Sequence, residues 1–157
     1  MTLPERKTPV HLPVRDDLNR AIIVFSTVCT QGRKPILARA EAHLLIREAW
    51  HQAHGWVVGR YTIMPDHIHL FCAPSEVAFP SLRSWTGYWK MLLSRRWPWP
   101  DEQPLWQKSF WDRQLRHGEH YGTKWQYVRE NPVRAGLCAC ADEWPHQGEL
   151  HELRWCG

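Results

Sequence analysis

Several features that would identify other classes of protein are missing from this sequence. No uninterrupted apolar run among its 157 residues approaches the roughly 18 residues that a membrane-spanning helix needs. Residues 1–20 carry prolines and charges where a secretory signal would be apolar, which predicts an irregular leader without an export signal. A glycine-rich phosphate loop, an internal repeat and a low-complexity tract are also missing. These absences argue against a membrane protein, a secreted protein, a repeat protein and an enzyme with a nucleotide cofactor.

Cysteine is scarce and irregularly spaced. An odd number of five cysteines, without the spacing of a disulfide framework, occurs at Cys29, Cys72, Cys138, Cys140 and Cys156. Such a set suits reduced thiols, so we expect a cytoplasmic protein. The length matches a single domain, because domains most often run to about 100 to 150 residues. We therefore predict one domain over 1–157, ending in an acidic tail over 138–157.

Charge is distributed unevenly along the chain. Residues 81–134 hold 10 basic and 5 acidic side chains, a net charge of +5, whereas residues 135–157 hold 1 basic and 4 acidic side chains, a net charge of −3. The middle segment is therefore the predicted surface for a polyanion, although a solvated surface explains the charges equally well. The cations that we expect to contact DNA are Arg33, Lys34, Arg83, Lys90, Arg95, Arg96, Lys108 and Arg113.

Tryptophan is abundant, with 11 residues, and several tryptophans lie among these cations. Aromatic side chains beside cations stack unpaired bases while the cations neutralise phosphates. The tryptophans in question are Trp85, Trp89, Trp97, Trp99, Trp106 and Trp111. Large aromatics bury apolar area wherever they lie, so we expect most of the tryptophans to belong to the core.

Hydrophobic periodicity predicts alternating strands and helices in the order βαββαβα. Strands are predicted over 21–30, 56–64, 67–73 and 109–116, and helices over 38–54, 81–96 and 119–130. We expect Pro132 to end the last helix, because the residue before a proline is pushed out of the helical region. This order favours an α+β fold with a four-stranded antiparallel sheet of ferredoxin-like type and packed helices.

A pair of histidines lies in the third predicted strand. Because alternate residues of a strand point the same way, His67 and His69 share one face while Ile68 and Leu70 lie on the opposite, apolar face. Two imidazoles placed in this way can share one metal ion.

The last predicted helix carries two different faces. At about 100° per residue, Tyr121, Trp125 and Val128 form an apolar stripe that we expect to pack on the sheet. A second face carries an imidazole, an ammonium, a phenol and an amide, from His120, Lys124, Tyr127 and Asn131. Two roles fit Asn131, whose carbonyl oxygen can complete a metal site or whose amide can cap the helix before the proline.

This face gathers more reactive groups than a solvated helix face needs. A free tyrosine has a pKa near 10, so a tyrosine nucleophile requires nearby positive charge. Lys124, one turn before Tyr127, and a metal ion are the candidates for that charge.

Two segments resemble the signatures of the single-tyrosine HUH transposases, in which HUH stands for His-hydrophobic-His. The resemblance is to the REP-associated tyrosine transposases in particular, where REP denotes a repetitive extragenic palindrome. The segments are YTIMPDHIHL at 61–70 and YVRENPVRAGL at 127–137, supported in type and order by FST at 25–27 and WQKSFWD at 106–112. The likeness covers about residues 21–145. The chain departs from the family after Trp144 and Pro145, where His146 and Gln147 replace small hydroxylated residues.

This resemblance implies a function and roles for individual residues. It implies a ferredoxin-like fold, His67 and His69 as metal ligands, Asn131 as the third ligand and Tyr127 as the nucleophile. Family members act on single-stranded DNA with hairpin structure and form a 5′-phosphotyrosine link. Mixed nitrogen and oxygen ligands suit Mn²⁺ and tolerate Mg²⁺. We therefore expect a metal-dependent endonuclease and transposase, monomeric or homodimeric, that associates with the nucleoid when it binds DNA.

Two other functions fit the same residues. One is a non-catalytic regulator that binds single-stranded nucleic acid, which needs no tyrosine chemistry. The other is a metal-dependent phosphodiesterase in which water attacks and Tyr127 only packs, which predicts cleavage without a covalent adduct. The Tyr127 adduct distinguishes these functions from the transposase.

Two further metal sites are weaker candidates. His51 and His54 lie three residues apart near the end of the first helix, where a solvated helix end explains them. The C-x-C pair at 138–140 can form a zinc site with His146, His151 and Cys156, but its spacing differs from the usual C-x₂₋₄-C.

Overall fold

The computed structural model describes residues 22–115 and 120–153. The predicted leader and the last residues of the acidic tail therefore lie outside the described residues. The strands are β1 (Val24–Cys29), β2 (Trp56–Ile63), β3 (His67–Pro74), β4 (Trp111–Gln114) and β5 (Gln147–Glu149). The helices are α1 (Ala40–Gln52), α2 (Leu82–Arg96), α3 (Tyr121–Arg129) and the short α4 (Asn131–Arg134).

The described strands form one antiparallel sheet in the order β4-β1-β3-β2-β5. Helix α1 connects β1 to β2, and α2 connects β3 to β4, which is the ferredoxin-like arrangement. The predicted α+β fold of ferredoxin-like type is confirmed, but the prediction of four strands was wrong. The fifth strand is a short polar segment that contains Gly148 and lacks the composition of a strand. It forms because its backbone pairs with the edge of β2.

The two faces of the sheet carry different side chains. On the face that we call the helical face, Ile68, Leu70 and Cys72 of β3 pack against α1 and α2 in the larger core cluster. On the opposite face, which we call the histidine face, His67 and His69 lie in line with Phe71, and Phe71 contacts Tyr121 and Trp125 of α3. The alternation along β3 thus separates the apolar core from the histidines.

A bulge in β2 fastens α3 to the histidine face. The pairing of β2 with β3 shifts register between Val58 and Tyr61, which frees a backbone N–H from the ladder. That N–H, from Arg60, donates to the hydroxyl of Tyr121 at 2.8 Å. A Cβ atom on Gly59 would lie 2.6 Å from this hydroxyl and from Leu153, so the close approach requires glycine.

Helix α3 ends before Pro132, as we predicted, but the predicted reason was wrong, because Asn131 before the proline keeps a helical conformation. Helix α3 ends at Arg129, and α4 begins almost at once with Pro132 in its first turn, where a missing N–H costs nothing. Helix α4 ends at Arg134, and the φ of +75° at Gly136 lets Gly136 N donate to Val133 O and Leu137 N donate to Pro132 O. The signature at 127–137 is therefore a helix, a turn and a capped second helix.

The described part of the acidic tail is a structural segment. Its Trp144 indole donates to Ile63 O at 3.1 Å, β5 pairs with β2, and Leu153 packs in the smaller core cluster with Tyr121. The tail thus covers the edge of β2 and supports α3 from the side.

Candidate metal and nucleophile site

The two histidines of β3 lie side by side on the histidine face. His67 Nε2 and His69 Nε2 are 3.2 Å apart, and the ring centroids are 4.7 Å apart. Two nitrogens that each bind one ion at about 2.0 to 2.1 Å lie roughly 3 Å from each other. The pair therefore has the spacing of two ligands of a single ion.

The remaining ring nitrogen of each histidine has a partner of its own. His67 Nδ1 donates to Asp66 Oδ1 at 2.7 Å, because a carboxylate can only accept. His69 Nδ1 lies 2.9 Å from Thr27 Oγ1, which can accept in the same way. Such contacts fix the tautomer and orientation of metal-binding histidines. Because both Nδ1 atoms donate to these partners, the lone pair of each imidazole is on Nε2, and the two Nε2 atoms face each other.

Asp66 is itself held by Arg33. Arg33 Nε donates to Asp66 Oδ2 at 2.8 Å. Burial acts to raise the pKa of Asp66, but the hydrogen bonds from His67 and Arg33 outweigh it and lower the pKa below the usual range. Arg33 was predicted to contact DNA, and in the structure its guanidinium bonds this carboxylate while 44% of its side chain stays exposed.

Sequence reasoning missed Asp66 and Thr27 as members of the site. For Asp66, direct adjacency to His67 was a usable signal. Thr27 lies in the segment at 25–27 that supports the resemblance, but its contact with His69 depends on the pairing of β1 with β3 across 42 positions of sequence.

Both histidines are in the form that a metal ion requires. Burial lowers the pKa of His69 to about 3, with smaller contributions from His67, Arg134 and Arg33. Burial also lowers the pKa of His67, although Asp66 acts in the opposite direction. The imidazoles are therefore neutral near pH 7, and neutral imidazole is the metal-binding form.

Helix α3 presents the two faces that its sequence predicts. Tyr121, Trp125 and Val128 are buried against the sheet, which confirms the apolar stripe. On the other side, a shallow depression is lined by His120, Thr123, Lys124 and Tyr127. Tyr127 is 68% exposed.

Arg134 connects the tyrosine with the histidine pair. Its guanidinium carbon lies 4.1 Å from the centroid of the Tyr127 ring, within the range of a cation–π interaction. The same guanidinium is one of the charges that lower the pKa of His69, after burial and His67. A permanent positive charge therefore contacts the phenol ring and acts on the imidazole of His69, and the sequence alone did not indicate it.

Asn131 begins α4, one turn beyond Tyr127, and is half-buried. Its side-chain amide makes no hydrogen bond with the described residues, so its oxygen has the capacity to accept a ligand. No group of three histidine, cysteine or carboxylate side chains that can hold a metal occurs in the described ranges.

The structure does not bring the basic residues of α2 to this site. Arg83, Arg95 and Arg96 extend from a helix that packs on the helical face, and Arg96 lies 3.8 Å from Glu48 of α1. Lys90 Nζ donates to Gln107 O at 2.7 Å, and burial lowers its pKa to about 8.

The other predicted DNA contacts fall into two groups. Lys34 Nζ donates to the carbonyls of Glu102 and Pro104, at 2.5 and 2.9 Å, and so lies against a neighbouring loop. Lys108 and Arg113 are exposed. Arg113 pairs in register with Phe25 of β1, which pairs with Phe71, so Arg113 lies on the histidine face.

Most of the tryptophans that we considered for base stacking belong to the core. Buried in the larger cluster are Trp85, Trp89, Trp97 and Trp106. Trp99 is half-buried beneath the guanidinium of Arg39, at 3.9 Å. Trp111, in contrast, is 49% exposed.

The weaker metal sites find no support among the described residues. Cys138, Cys140, His146 and His151 form no metal-binding group there, and Cys156 lies outside the described residues. The same holds for His51 and His54. As a separate finding, none of the described helices has the length and apolar character needed to span a bilayer.

Fold and site together define a class of protein. A ferredoxin-like sheet carries a histidine pair on its central strand and an exposed tyrosine on a helix of the same face. The structure of a REP-associated tyrosine transposase bound to a REP hairpin has this fold, with a TM-score of 0.67 and 17% sequence identity. The match covers 94% of this chain and 82% of that one.

The sequence comparison finds a similar protein. A candidate REP-associated tyrosine transposase of Haemophilus influenzae is 27% identical over 114 residues, which is 60% of this chain. The predicted resemblance to the REP-associated tyrosine transposases is thereby confirmed. The matched region spans 64% of that relative, less than two thirds of its length.

A third similarity is weaker. A candidate transposase from Deinococcus radiodurans R1 is 23% identical, with a TM-score of 0.49 over 74% of this chain and 94% of that one. No family model matches the chain.

Proposed function

We propose that this protein cleaves and rejoins single-stranded DNA through a covalent 5′-phosphotyrosine link to Tyr127. One observation carries the proposal. Two neutral imidazoles converge at 3.2 Å on the sheet face against which the helix of Tyr127 packs, and the guanidinium of Arg134 lies against the phenol ring. Neither core packing nor a solvated helix face explains why two histidines, a tyrosine and an arginine lie together. The similarity to REP-associated tyrosine transposases supports the same function.

The donor set fits a divalent metal ion. His67 and His69 would hold it through Nε2, and Asn131 would contribute its carbonyl oxygen as a third ligand. Two nitrogens and an amide oxygen, with water, suit Mn²⁺ and tolerate Mg²⁺. A bound ion would supply Lewis-acid charge to the scissile phosphate.

The proposed reaction is a transesterification in which the Tyr127 hydroxyl attacks a phosphodiester of the DNA strand. The Tyr127 oxygen forms a bond to phosphorus while the bond from phosphorus to the 3′-oxygen breaks. The phenol loses a proton and the departing 3′-hydroxyl gains one, so the number of bound protons is unchanged. Because the phosphotyrosine is itself a diester, the reverse attack by a 3′-hydroxyl rejoins the strand without a nucleotide triphosphate.

Two cations assist this step. Arg134 lies against the Tyr127 ring, and Lys124 lines the same depression. Both would lie beside the attacked phosphate, where fixed positive charge offsets the negative charge that develops in the transition state. Asp66 and Thr27 act indirectly, by orienting His67 and His69.

The proposed substrate is single-stranded DNA with hairpin structure. The solved transposase of the same fold is bound to a REP hairpin, and Lys124 and Arg134 beside Tyr127 suit a polyanion. Of the predicted DNA contacts, the exposed Arg113 lies in β4 and the exposed Lys108 lies three residues before that strand. The cytoplasmic location, the single domain and the choice between monomer and homodimer stay predictions.

The decisive experiment deletes one oxygen atom. Tyr127→Phe keeps the ring under Arg134 but removes the only proposed attacking atom, so we expect complete loss of nicking and of covalent complex. Labelled single-stranded repeats from beside the gene, a divalent ion and denaturing electrophoresis measure both products. The wild-type adduct should map by mass spectrometry to the Tyr127 peptide, with a free 3′-hydroxyl on the released strand.

Tyr88→Phe is the matched control. Tyr88 is 46% exposed on α2, on the helical face, and should leave activity unchanged. Tyr121 is unsuitable, because its hydroxyl accepts from Arg60 N and its loss would strand a buried donor.

Three results would contradict parts of the proposal. Nicking without an adduct by the wild type would identify a phosphodiesterase that uses water. DNA binding without nicking would identify a regulator. Undiminished nicking in excess chelator, or by His67→Ala, would remove the metal ion from the mechanism.

A further inference from the structure

We infer that Trp111 is a stacking platform for one unpaired base of the DNA strand, next to the histidine pair. The inference rests on the proposed function and adds a subsite to it. It assigns Trp111 to the binding of an exposed nucleobase, and it assigns the other described tryptophans to the fold.

The exposure of Trp111 is unusual for a tryptophan of this protein. The other described tryptophans are buried or half-buried, with exposures of 9% or less for Trp50, Trp56, Trp85, Trp89, Trp97, Trp106, Trp125 and Trp144. Trp111, the first residue of the edge strand β4, exposes 49% of its surface. A chain that encloses nearly all its indoles in apolar contacts leaves this one open to solvent.

Strand register places Trp111 beside the site. Trp111 pairs with Thr27 of β1, and Thr27 pairs with His69 of β3. Residues opposite each other in an antiparallel pair lie on the same face, so all three belong to the histidine face. Two strand spacings separate Trp111 from His69, a Cα distance of about 10 Å. A strand whose phosphate lies at the histidine pair therefore has neighbouring bases within reach of the indole.

The surroundings favour nucleic acid as the occupant. The flanking Lys108 is exposed, and Arg113 lies two residues along β4 on the same face. A flat aromatic surface flanked by cations accepts a base and its phosphates together. Helix α3 covers the part of this face formed by Val57, Phe71 and Ala73, which leaves the end at Trp111 accessible.

A stacking contact predicts a specific pattern of DNA affinity. The indole interacts with the base and not with the phosphate, so its loss should weaken binding only when bases are present. Loss of a phosphate contact, in contrast, would also change the salt dependence of binding.

The test compares two strands that differ only in their bases. One probe is an oligothymidylate of about 15 nucleotides, and the other is an abasic strand of equal length that keeps every phosphate. Binding is measured by fluorescence anisotropy with the full chain carrying Tyr127→Phe, in chelator, so that no cleavage occurs. We expect Trp111→Ala to weaken oligothymidylate binding by about tenfold. Affinity for the abasic strand and the salt slope should stay unchanged.

Two variants control for shape and for aromatic content. Trp111→Phe keeps a stacking ring and should retain most of the affinity. Tyr88→Ala removes an aromatic side chain of similar exposure from the helical face and should weaken neither probe.

The contrary outcomes separate this inference from the proposed function. Equal losses for both probes, or no loss for either probe, would overturn the stacking role of Trp111. If the wild type still forms the Tyr127 adduct, such a result leaves the proposed function intact. A chain that binds neither probe and forms no adduct would overturn both.

Discussion

The helical face and the histidine face both carry histidine and tyrosine, but these side chains have different surroundings on the two faces. On the helical face, His43 Nε2 lies 2.6 Å from the hydroxyl of the fully buried Tyr61, so packing gives each group a partner. On the histidine face, the Nε2 atoms of His67 and His69 face each other, and Tyr127 is mostly exposed. A histidine and a tyrosine stabilise the fold where packing satisfies them, and they are available for chemistry where it does not.

The aromatic residues show the same division. Trp50, Trp85 and Trp89 interlock edge to face on the helical face, with ring centroids 5.9 to 6.3 Å apart. Such contacts stabilise beyond the area they bury. The rings of Phe25 and His69 stack at 5.4 Å on the histidine face, where the imidazole is oriented by the contact. The helical face thus holds the larger apolar core, and aromatic contacts on the histidine face orient His69.

The largest expected effect separates two tryptophans on opposite faces. Trp89 is fully buried against Trp50, Trp85 and Trp106, so Trp89→Ala should lower the free energy of unfolding by about 3 to 5 kcal/mol. Trp111→Ala should change it by less than about 0.5 kcal/mol. Urea unfolding followed by circular dichroism measures both values.

Trp89→Phe extends the comparison if the alanine variant does not fold, because it should fold with an intermediate loss. Equal stabilities of Trp89→Ala and Trp111→Ala would show that the two faces do not differ as we describe.

A second prediction concerns the orientation of the histidine pair. Asp66→Ala removes the acceptor for His67 Nδ1 and the partner of Arg33. We expect metal affinity and nicking to fall by about 10- to 100-fold, as when outer partners of metal-binding histidines are removed. Calorimetric titration with Mn²⁺ measures the affinity.

Asp101→Ala is the control, since Asp101 is exposed in the turn Pro100–Glu102, away from the histidines. Unchanged Mn²⁺ affinity in Asp66→Ala, with the fold intact, would show that Asp66 does not orient the ligand.

The smallest expected effect is the pH dependence that His43 contributes from the helical face. Burial lowers the pKa of His43 to about 4, with further contributions from His146 and Arg47. As the pH falls from 6.5 towards 4, the unfolded chain binds a proton at this position that the folded protein does not. Stability present above pH 6.5 is therefore lost through this window.

His43→Gln should reduce that loss by about 1 kcal/mol, a value already discounted for the partial exposure of the ring. Urea unfolding at the two ends of the window measures it, with the exposed His51→Gln on the same helix as control. An equally steep loss in His43→Gln and wild type would assign the acid sensitivity to other groups, such as His67 and His69.

Local patterns predicted much of this fold. The periodicity of apolar residues located α1, α2 and α3 to within two or three residues, and period-two alternation put His67 and His69 on one face. These signals succeed because helix and strand geometry follow from side-chain spacing alone. The apolar stripe of Tyr121, Trp125 and Val128 could be predicted from the sequence for the same reason.

Other features depended on contacts between distant parts of the chain. Strand β5 forms because the edge of β2 is available, and Asp66, Thr27 and Arg134 join the site through β-strand pairing and helix packing. The basic residues of α2 show the reverse case. Their charge was evident, but only the handedness of the crossovers decided that α2 covers the helical face.

The sequence by itself determined that two histidines share one strand face and that a tyrosine lies in a later helix, because residue types and their spacing are fixed by the covalent chain. It also determined that α3 has a buried side and a reactive side. The tertiary structure alone decided that the two Nε2 atoms converge at 3.2 Å and that Arg134 reaches the Tyr127 ring. It also decided that Trp111 stays exposed while Trp89 is buried. The physical reason is that convergence and burial are properties of pairs of segments, and the energies that set them arise only when the sheet and its helices pack together.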